Sequence, residues 1–552
     1  MILRKFVGPA LVVVGAALLA AALACFFAAK INAAYYANHP FIGDSSSFFY
    51  VQFKLYFDSL VTSKADVIWR RFIEDPKNPL SYLHYLLFPR TFLLSMNSHL
   101  VYTGATFAVF SALLGWAVYK RTGSTLYAAV APFLIFSAEG LFHPIYQLPS
   151  KLADPPAAFI FGAAVLCLVI SDDARSLKWL AGFGLFAGLT LLSRFTASGY
   201  LFCVCAPVLA FYLLRRLRDP AYGWRHVAWA VLAIAIPLVA VGGWHFTTHV
   251  REVLFFYSVA GSSLNQTFAS AFELTLLKFL VNFAGGLGIA VLILVCGSYA
   301  VMFWPPPRGI SDFLVTAWLA IGVPLVIVGV LRVEDDSPQL AFGLAGYLLF
   351  ALTPFSIAAL PEKERRGATR HALVVAIALV PATMFALAIR PYRSYVFNIE
   401  PQELSVTAAN RKMAEYAATR QREQGREQAI DAGFDYQWRH LQPTALYRFG
   451  SLLRTDRQFE IRKEQWWLKY RDRTPQEIAR LLAADYDANT DILYFLADPA
   501  APEARNVVKD DFTIAVAEGV IDWLRSSPNW SKLGDVPSPW GAVEVWANRK
   551  RQ

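Results

Sequence analysis

HPFIGDSSSFFYVQFKLY occupies residues 39–56, and WRRFIEDPKNPLSYLHYLLFPRTF occupies residues 69–92. Asp44, in the first string, is the first acidic residue of the chain. The second string is apolar and aromatic, but its charges and prolines stop it short of the roughly 20 apolar residues that a membrane-crossing helix needs. A carboxylate just past a first hydrophobic segment, roofed by an amphipathic stretch, predicts a loop lying on a membrane surface. That arrangement suits chemistry on a substrate that is itself lipid-anchored.

Composition supports the membrane. The chain has 552 residues, 56% of them hydrophobic, 15% aromatic and 17% charged, whereas a soluble domain carries roughly 25% charged residues. Much of its net charge of +10 lies in short basic clusters between apolar runs: Lys120-Arg121, Arg215-Arg216-Leu217-Arg218 and Lys363 to Arg370. Such clusters are the mark of cytoplasmic loops, and they require no nucleic-acid partner. Cys25, Cys167, Cys203, Cys205 and Cys296 all fall in apolar segments, so no disulfide framework or zinc site is implied.

Hydropathy places spans near 6–29, 99–119, 124–141, 155–171, 179–193, 197–213, 227–246, 276–303, 312–331, 338–358 and 371–389, about eleven in all. The basic clusters then alternate sides correctly, with the N-terminus in the cytoplasm. The predicted architecture is a polytopic α-helical membrane domain over residues 1–390, with a large extracytoplasmic loop over about 30–98. Residues 391–552 form a small extracytoplasmic α/β domain. Within that tail, Gln402 to Glu423 reads as an amphipathic helix. Thr474-Pro475-Gln476-Glu477 opens another helix with a capping box and an early proline. Asp491 to Leu496 reads as a strand, 511–525 as a helix, and the chain closes on a hairpin ending Ala542 to Trp546.

Charged groups beside hydrocarbon are costly and are functional candidates by default. With this topology Asp44, the Lys151-Leu-Ala-Asp154-Pro-Pro stretch, Arg194 and Arg332 with Glu334, Asp335 and Asp336 all fall on the outer face. Each has a plainer reading. Arg194 and Arg332 snorkel to headgroups, Asp154 and Asp44 cap helices or turns, His143 sits at the interface, and Glu334 to Asp336 form a solvated loop. Their shared side is what argues for a site.

The order of one span, an outer loop with an early Asp44, the element Asn78-Pro79-Leu80-Ser81-Tyr82, further spans and a membrane-edge Asp154 before proline resembles the GT-C superfamily of polytopic glycosyltransferases. It is similar to the protein mannosyltransferases and the lipid A aminoarabinose transferases. Asn78-Pro79-Leu80 partly matches that family's His-Pro-Pro-Leu stretch. Arg194 in Leu-Leu-Ser-Arg-Phe-Thr stands where the family often has a basic residue. Arg332 with Pro338 resembles a later Arg/Tyr–Pro element, without its tyrosine. The match covers roughly residues 1–390.

The resemblance implies an inverting glycosyltransferase of the bacterial inner membrane. Its donor is a sugar on a polyprenyl phosphate, and its acceptor is a glycolipid, polysaccharide or protein on the extracytoplasmic face. Asp44 then serves as the general base. Arg194 and Arg332, and less directly Lys151, hold the donor phosphate. Asp154 orients the acceptor or the sugar hydroxyls, or binds a divalent cation with Asp44; no other cofactor is implied. His143, Tyr82, Glu334 and Asp335 are the candidates for acceptor or substrate contacts. Membrane lipids, and no nucleic acid, complete the expected partners. A ligase or polymerase of lipid-linked glycans, using the same face, is the neighbouring alternative. A transporter is the alternative from another class, and it calls for inverted repeats and broken spans near the midplane. A metal-dependent hydrolase or headgroup transferase would place its chemistry in the tail, where His440 is the sole histidine.

Overall fold

The structure is a computed structural model describing residues 2–38, 44–75, 78–95, 97–143, 147–194, 197–252, 254, 338–351, 401–423, 428–434, 458–462, 473–504, 508 and 510–551, with single positions at 315, 318, 319, 322, 323, 466 and 470. The chain divides into two compact units. The first comprises Met1–Asn32, Ile68–Phe88 and Met96–Ser394; the second comprises Ala33–Val67, Pro89–Ser95 and Tyr395–Gln552.

The first unit is built of apolar helices. The segments Gly8–Ala33, His99–Thr122, Ala197–Arg218 and Gly223–Thr248 are long and apolar enough to cross a membrane. Thr125–Phe136, Asp154–Ile170 and Leu177–Ser193 are apolar but shorter. At the centre is Asp154–Ile170, buried from Asp154 through Leu168. A helix that is apolar all round has no polar stripe to leave facing water, so it is enclosed on every side. It packs against His99–Thr122 and Leu177–Ser193, with Phe107 and Phe159 interleaved at 4.9 Å between ring centroids.

Leu177–Ser193 in turn lies tightly along Gly223–Leu238. Gly184 and Gly188 are spaced four apart on the contact face. A Cβ on Gly184 would run into the Ile234 carbonyl oxygen, and one on Gly188 would lie 3.1 Å from that of Leu238. Small residues at this spacing let two backbones approach closely where no hydrophobic effect drives association.

The expected span over 124–141 takes a different form. An α-helix covers Thr125–Val130, and 3-10 turns cover Ala131–Ser137 and Glu139–Phe142. Pro132 has no N–H to offer the carbonyl four residues back, and its ring crowds that carbonyl, so the helix tightens there. The segment expected over 338–358 is a 3-10 turn, Pro338–Gly343, leading into the helix Leu344–Ala351. The spans expected near 276–303 and 371–389, and most of 312–331, lie outside the described residues.

The loop after the first span is helical. Helix α1 runs Ile2–Asn38, α2 Asp44–Val61 and α3 Lys64–Glu74, followed by short turns Leu80–Leu83, His84–Leu87 and Arg90–Leu94. Pro79 and Pro89 punctuate the short turns that follow α3. The end of α3 meets the Gly223–Thr248 segment: His249 Nε2 is 2.9 Å from the Ile73 carbonyl, and Phe72 packs on Trp244 at 5.5 Å.

In the second unit, Gln52 of α2 donates from Nε2 to the carbonyls of Leu93 and, at 3.0 Å, Ser95. Its sheet has strands β1 Gln428–Gly433, β2 Gln458–Arg462, β3 Ile492–Leu496, β4 Trp530–Ser538 and β5 Gly541–Asn548, in the order β2-β1-β3-β5-β4. The β2-β1-β3 half is parallel, and β3-β5-β4 is antiparallel. Strand β3 is buried along its whole length, as an interior strand covered on both faces must be. Helices Pro401–Glu423, Pro475–Asn489 and Asp511–Ser526 accompany the sheet, and the Thr474–Glu477 capping box forms with both of its reciprocal bonds.

Candidate active site

Helix ends in the first unit gather the charges. Pro155 and Pro156 can occupy a first helical turn because the N–H groups they lack have no intrahelical partner there. They start the central helix at Asp154, which places that carboxylate at the positive end of the helix dipole. Leu177–Ser193 ends where Arg194 turns extended, at φ −160° and ψ 112°, and this brings the guanidinium back across to Asp154. Arg194 Nε donates to Asp154 Oδ1 at 3.2 Å. Asp154 is 0% exposed, Arg194 9% and Lys151 7%.

Lys151 is carried on a loop folded by its own backbone. The Leu148 N–H donates to Leu141 at 2.9 Å and the Ser150 N–H to Gln147 at 2.8 Å, while His99 Nε2 is 3.1 Å from the Pro149 carbonyl. Burial pushes the Lys151 ammonium well below its ordinary range. A buried carboxylate, guanidinium and amine thus share one end of the helix bundle. Such a set suits an anion whose charge grows during a reaction, because donors in a water-poor site act far more strongly than they do in bulk water.

The opposite end of the central helix holds a different cluster, about 25 Å away at 1.5 Å per residue. Asp172, Asp173 and Ala174 form a left-handed turn, with φ of 57°, 56° and 62°. Arg215 bonds Asp173 at 2.7 Å, Arg216 bonds Asp219 at 2.8 Å, and His226 Nε2 is 2.8 Å from the Ala174 carbonyl. The basic RRLR cluster therefore caps one end of the bundle, while Lys151, Asp154 and Arg194 occupy the other.

Of the remaining expected residues, Tyr82 is buried and its hydroxyl donates to Asp75 Oδ2 at 2.8 Å. Arg71 pairs with the same carboxylate at 3.2 Å and lies over the Tyr82 ring. Burial, then the Asp75 charge, raises the Tyr82 hydroxyl above its ordinary range. His143 is half-buried at the end of a 3-10 turn, its N–H donating to Gly140 at 3.1 Å. Asp44 begins α2. Arg332, Glu334 and Asp335 lie outside the described residues. Among the described residues, no group of three or more His, Cys, Asp or Glu side chains is placed to hold a metal ion.

No protein-family model and no curated protein matches the sequence. Its three-dimensional form does have counterparts. The crystal structure of ArnT from Cupriavidus metallidurans in the apo state superposes with a TM-score of 0.55 at 14% identity, covering 97% of each chain. ArnT from the same organism bound to undecaprenyl phosphate gives a TM-score of 0.54 at 13% identity, over 94% of this chain and 97% of that one. The chain shares the ArnT fold. The expected architecture of apolar helices with a small C-terminal sheet is the one observed. The correspondence runs through both the helical unit and the sheet.

His84, Tyr102 and Ser193 join the cluster's surroundings without having been anticipated. The Tyr102 hydroxyl and Ser193 Oγ are 3.0 Å apart, and the His84 ring stacks on Tyr102. Tyr102 and Ser193 are unremarkable letters inside apolar segments. His84 follows the Asn78–Tyr82 element by two residues, and that proximity is the one signal the sequence carries.

Proposed function

We propose that this chain is an inverting glycosyltransferase that moves a sugar from a polyprenyl-phosphate donor to a lipid or glycan acceptor. It works in the bacterial inner membrane, with about eleven spans and with the active site and C-terminal domain on the extracytoplasmic face. The observation that carries the proposal is the buried Asp154–Arg194 pair beside Lys151, at the end of the bundle away from Arg215 and Arg216, in a fold shared with ArnT. A transporter would be expected to hold its charges near mid-helix, whereas Asp154 stands at a helix start.

Asp44 takes the proton of the acceptor hydroxyl as that oxygen attacks the anomeric carbon. The carbon–oxygen bond to phosphate breaks on the opposite face, inverting the centre, and the electron pair leaves with the polyprenyl phosphate. Arg194, Lys151 and Arg332 receive the growing negative charge. Asp154 keeps Arg194 oriented for that task, so its contribution to rate comes through the guanidinium. The lipid tail lies among the spans.

Transfer of labelled sugar from a panel of polyprenyl-phosphate sugars to membrane acceptors tests this, with wild type set beside Asp44→Asn. The amide keeps the shape and cannot accept the proton, so an inserted variant should lose about a hundredfold in rate. Activity that survives the substitution removes Asp44 as base. Absence of transfer from every lipid-linked sugar removes the class.

A further inference from the structure

Strand order in the second unit reverses at β1. The chain leaves β1 for β2 on one side and returns through Pro475–Asn489 to β3 on the other, with all three strands parallel. Open α/β sheets bind their ligands at such a switch, beyond the carboxyl ends of the two strands. Here that edge lies past Gly433 and Leu496.

One side of the edge is an aromatic stack. The Phe434 ring packs at 5.3 Å on Phe495 and at 5.7 Å on Trp466, and Trp466 stacks on Phe512 in the first turn of Asp511–Ser526. Trp466 is buried, whereas Phe512 is 43% exposed, so the stack ends in an exposed aromatic face. Asp498, two residues beyond β3, accepts the Ala500 N–H at 3.0 Å and is itself exposed.

The other side is the helix Pro401–Glu423. Only residues 424–427 separate it from β1, so it runs antiparallel to that strand and its earlier turns lie toward the carboxyl edge. Met413 marks the level: its carbonyl accepts the Tyr494 hydroxyl at 3.2 Å, and Tyr494 pairs with Gly433. Asn410 lies one turn nearer the edge, on the same buried stripe as Met413 and Ala414. It is 1% exposed, and neither its amide oxygen nor its nitrogen has a hydrogen-bond partner. A leucine would fill that volume without desolvating two polar atoms.

We infer that this edge of the sheet is a saccharide subsite, which makes the acceptor of the proposed transfer a glycan-bearing molecule. The second clause rests on the function proposed above. The apolar face of a sugar ring lies against Phe512. Its hydroxyls, each both donor and acceptor, meet the Asp498 carboxylate and the Asn410 amide, which itself donates and accepts. A phosphate or nucleotide suits the edge less. Asp498 and Asp511 are acidic and exposed there, and the nearby Arg525 is committed to the Ala497 carbonyl at 3.0 Å and to Glu544 at 3.1 Å.

The test is saccharide binding by the full chain in phosphatidylcholine nanodiscs, for wild type, Phe512→Ala and Asn410→Leu. The probe is the tritium-reduced oligosaccharide pool released by mild acid from the envelope of the cells that make the protein. Wild type should bind it, and unlabelled pool should compete. Each variant should bind about tenfold more weakly, the loss expected for one half-buried ring or one buried hydrogen bond. Both should bind undecaprenyl phosphate as wild type does. Asn410→Leu should also melt at a higher temperature, because the unpaired amide is gone from the empty site, so its weaker binding is not a failure to fold. Binding absent in wild type, or unchanged in both variants, overturns the inference and leaves the glycosyltransferase reading standing. Binding as expected without transfer from any lipid-linked sugar supports the subsite and removes that reading.

Discussion

Arg194 Nε lies 3.2 Å from Asp154 Oδ1, and the two residues come from the facing ends of adjacent buried helices, forty positions apart in sequence. The pair ties together the ends of two apolar helices opposite the turn that connects them, and holds a cation in place beside Lys151. Removing one partner takes a buried, charge-assisted contact from the other.

Asp154→Asn or Arg194→Met should each lower stability by about 3–5 kcal/mol, the cost of breaking a buried ion pair from one side. The double variant should lose distinctly less than the sum, because the interaction between the two is then lost only once. Thermal unfolding of detergent-solubilised protein, followed by monodispersity, measures all three. Additive losses would show that the two groups do not interact.

Gly184→Ala should destabilise the bundle by about 1–3 kcal/mol, since the added methyl meets the Ile234 backbone carbonyl, which cannot rotate away as a side chain would. Gly15→Ala, with nothing within 4 Å of the new carbon, is the control and should change little. The same thermal assay compares them.

Tyr82→Phe deletes the donor to the buried Asp75 carboxylate. A loss of about 1–3 kcal/mol is expected, together with faster proteolysis within residues 64–98. If the hydroxyl serves the substrate instead, KM rises while protease resistance stays unchanged.

Thr474→Ala removes the side-chain bond to the Glu477 N–H and should speed amide exchange in the first turn of Pro475–Asn489 several-fold. The Thr474 backbone N–H, then its hydroxyl, hold the Glu477 carboxyl below its usual range. A depressed folded value contributes stability above the unfolded value, and that contribution is lost as pH falls through the folded one. Protection of this turn, corrected for the intrinsic exchange rate, should therefore fall on acidification in wild type and somewhat less in Thr474→Ala, whose backbone N–H still bonds Glu477.

Hydropathy and local spacing were enough for the apolar helices Gly8–Ala33, His99–Thr122, Ala197–Arg218 and Gly223–Thr248 and for the tail's capping box, strand and hairpin, because each is written into consecutive residues. The break at Pro132 was equally local but was outweighed by the apolar run around it. The same letters nominated Lys151, Asp154 and Arg194 one by one. That Asp154 and Arg194 pair, that Tyr82 bonds Asp75, and that His84 stacks on Tyr102 beside Lys151 depend on helices meeting across tens of residues. A periodic pattern records which face of a helix is apolar; it carries no record of which neighbour's end will lie against it, since that is decided by packing the whole bundle at once.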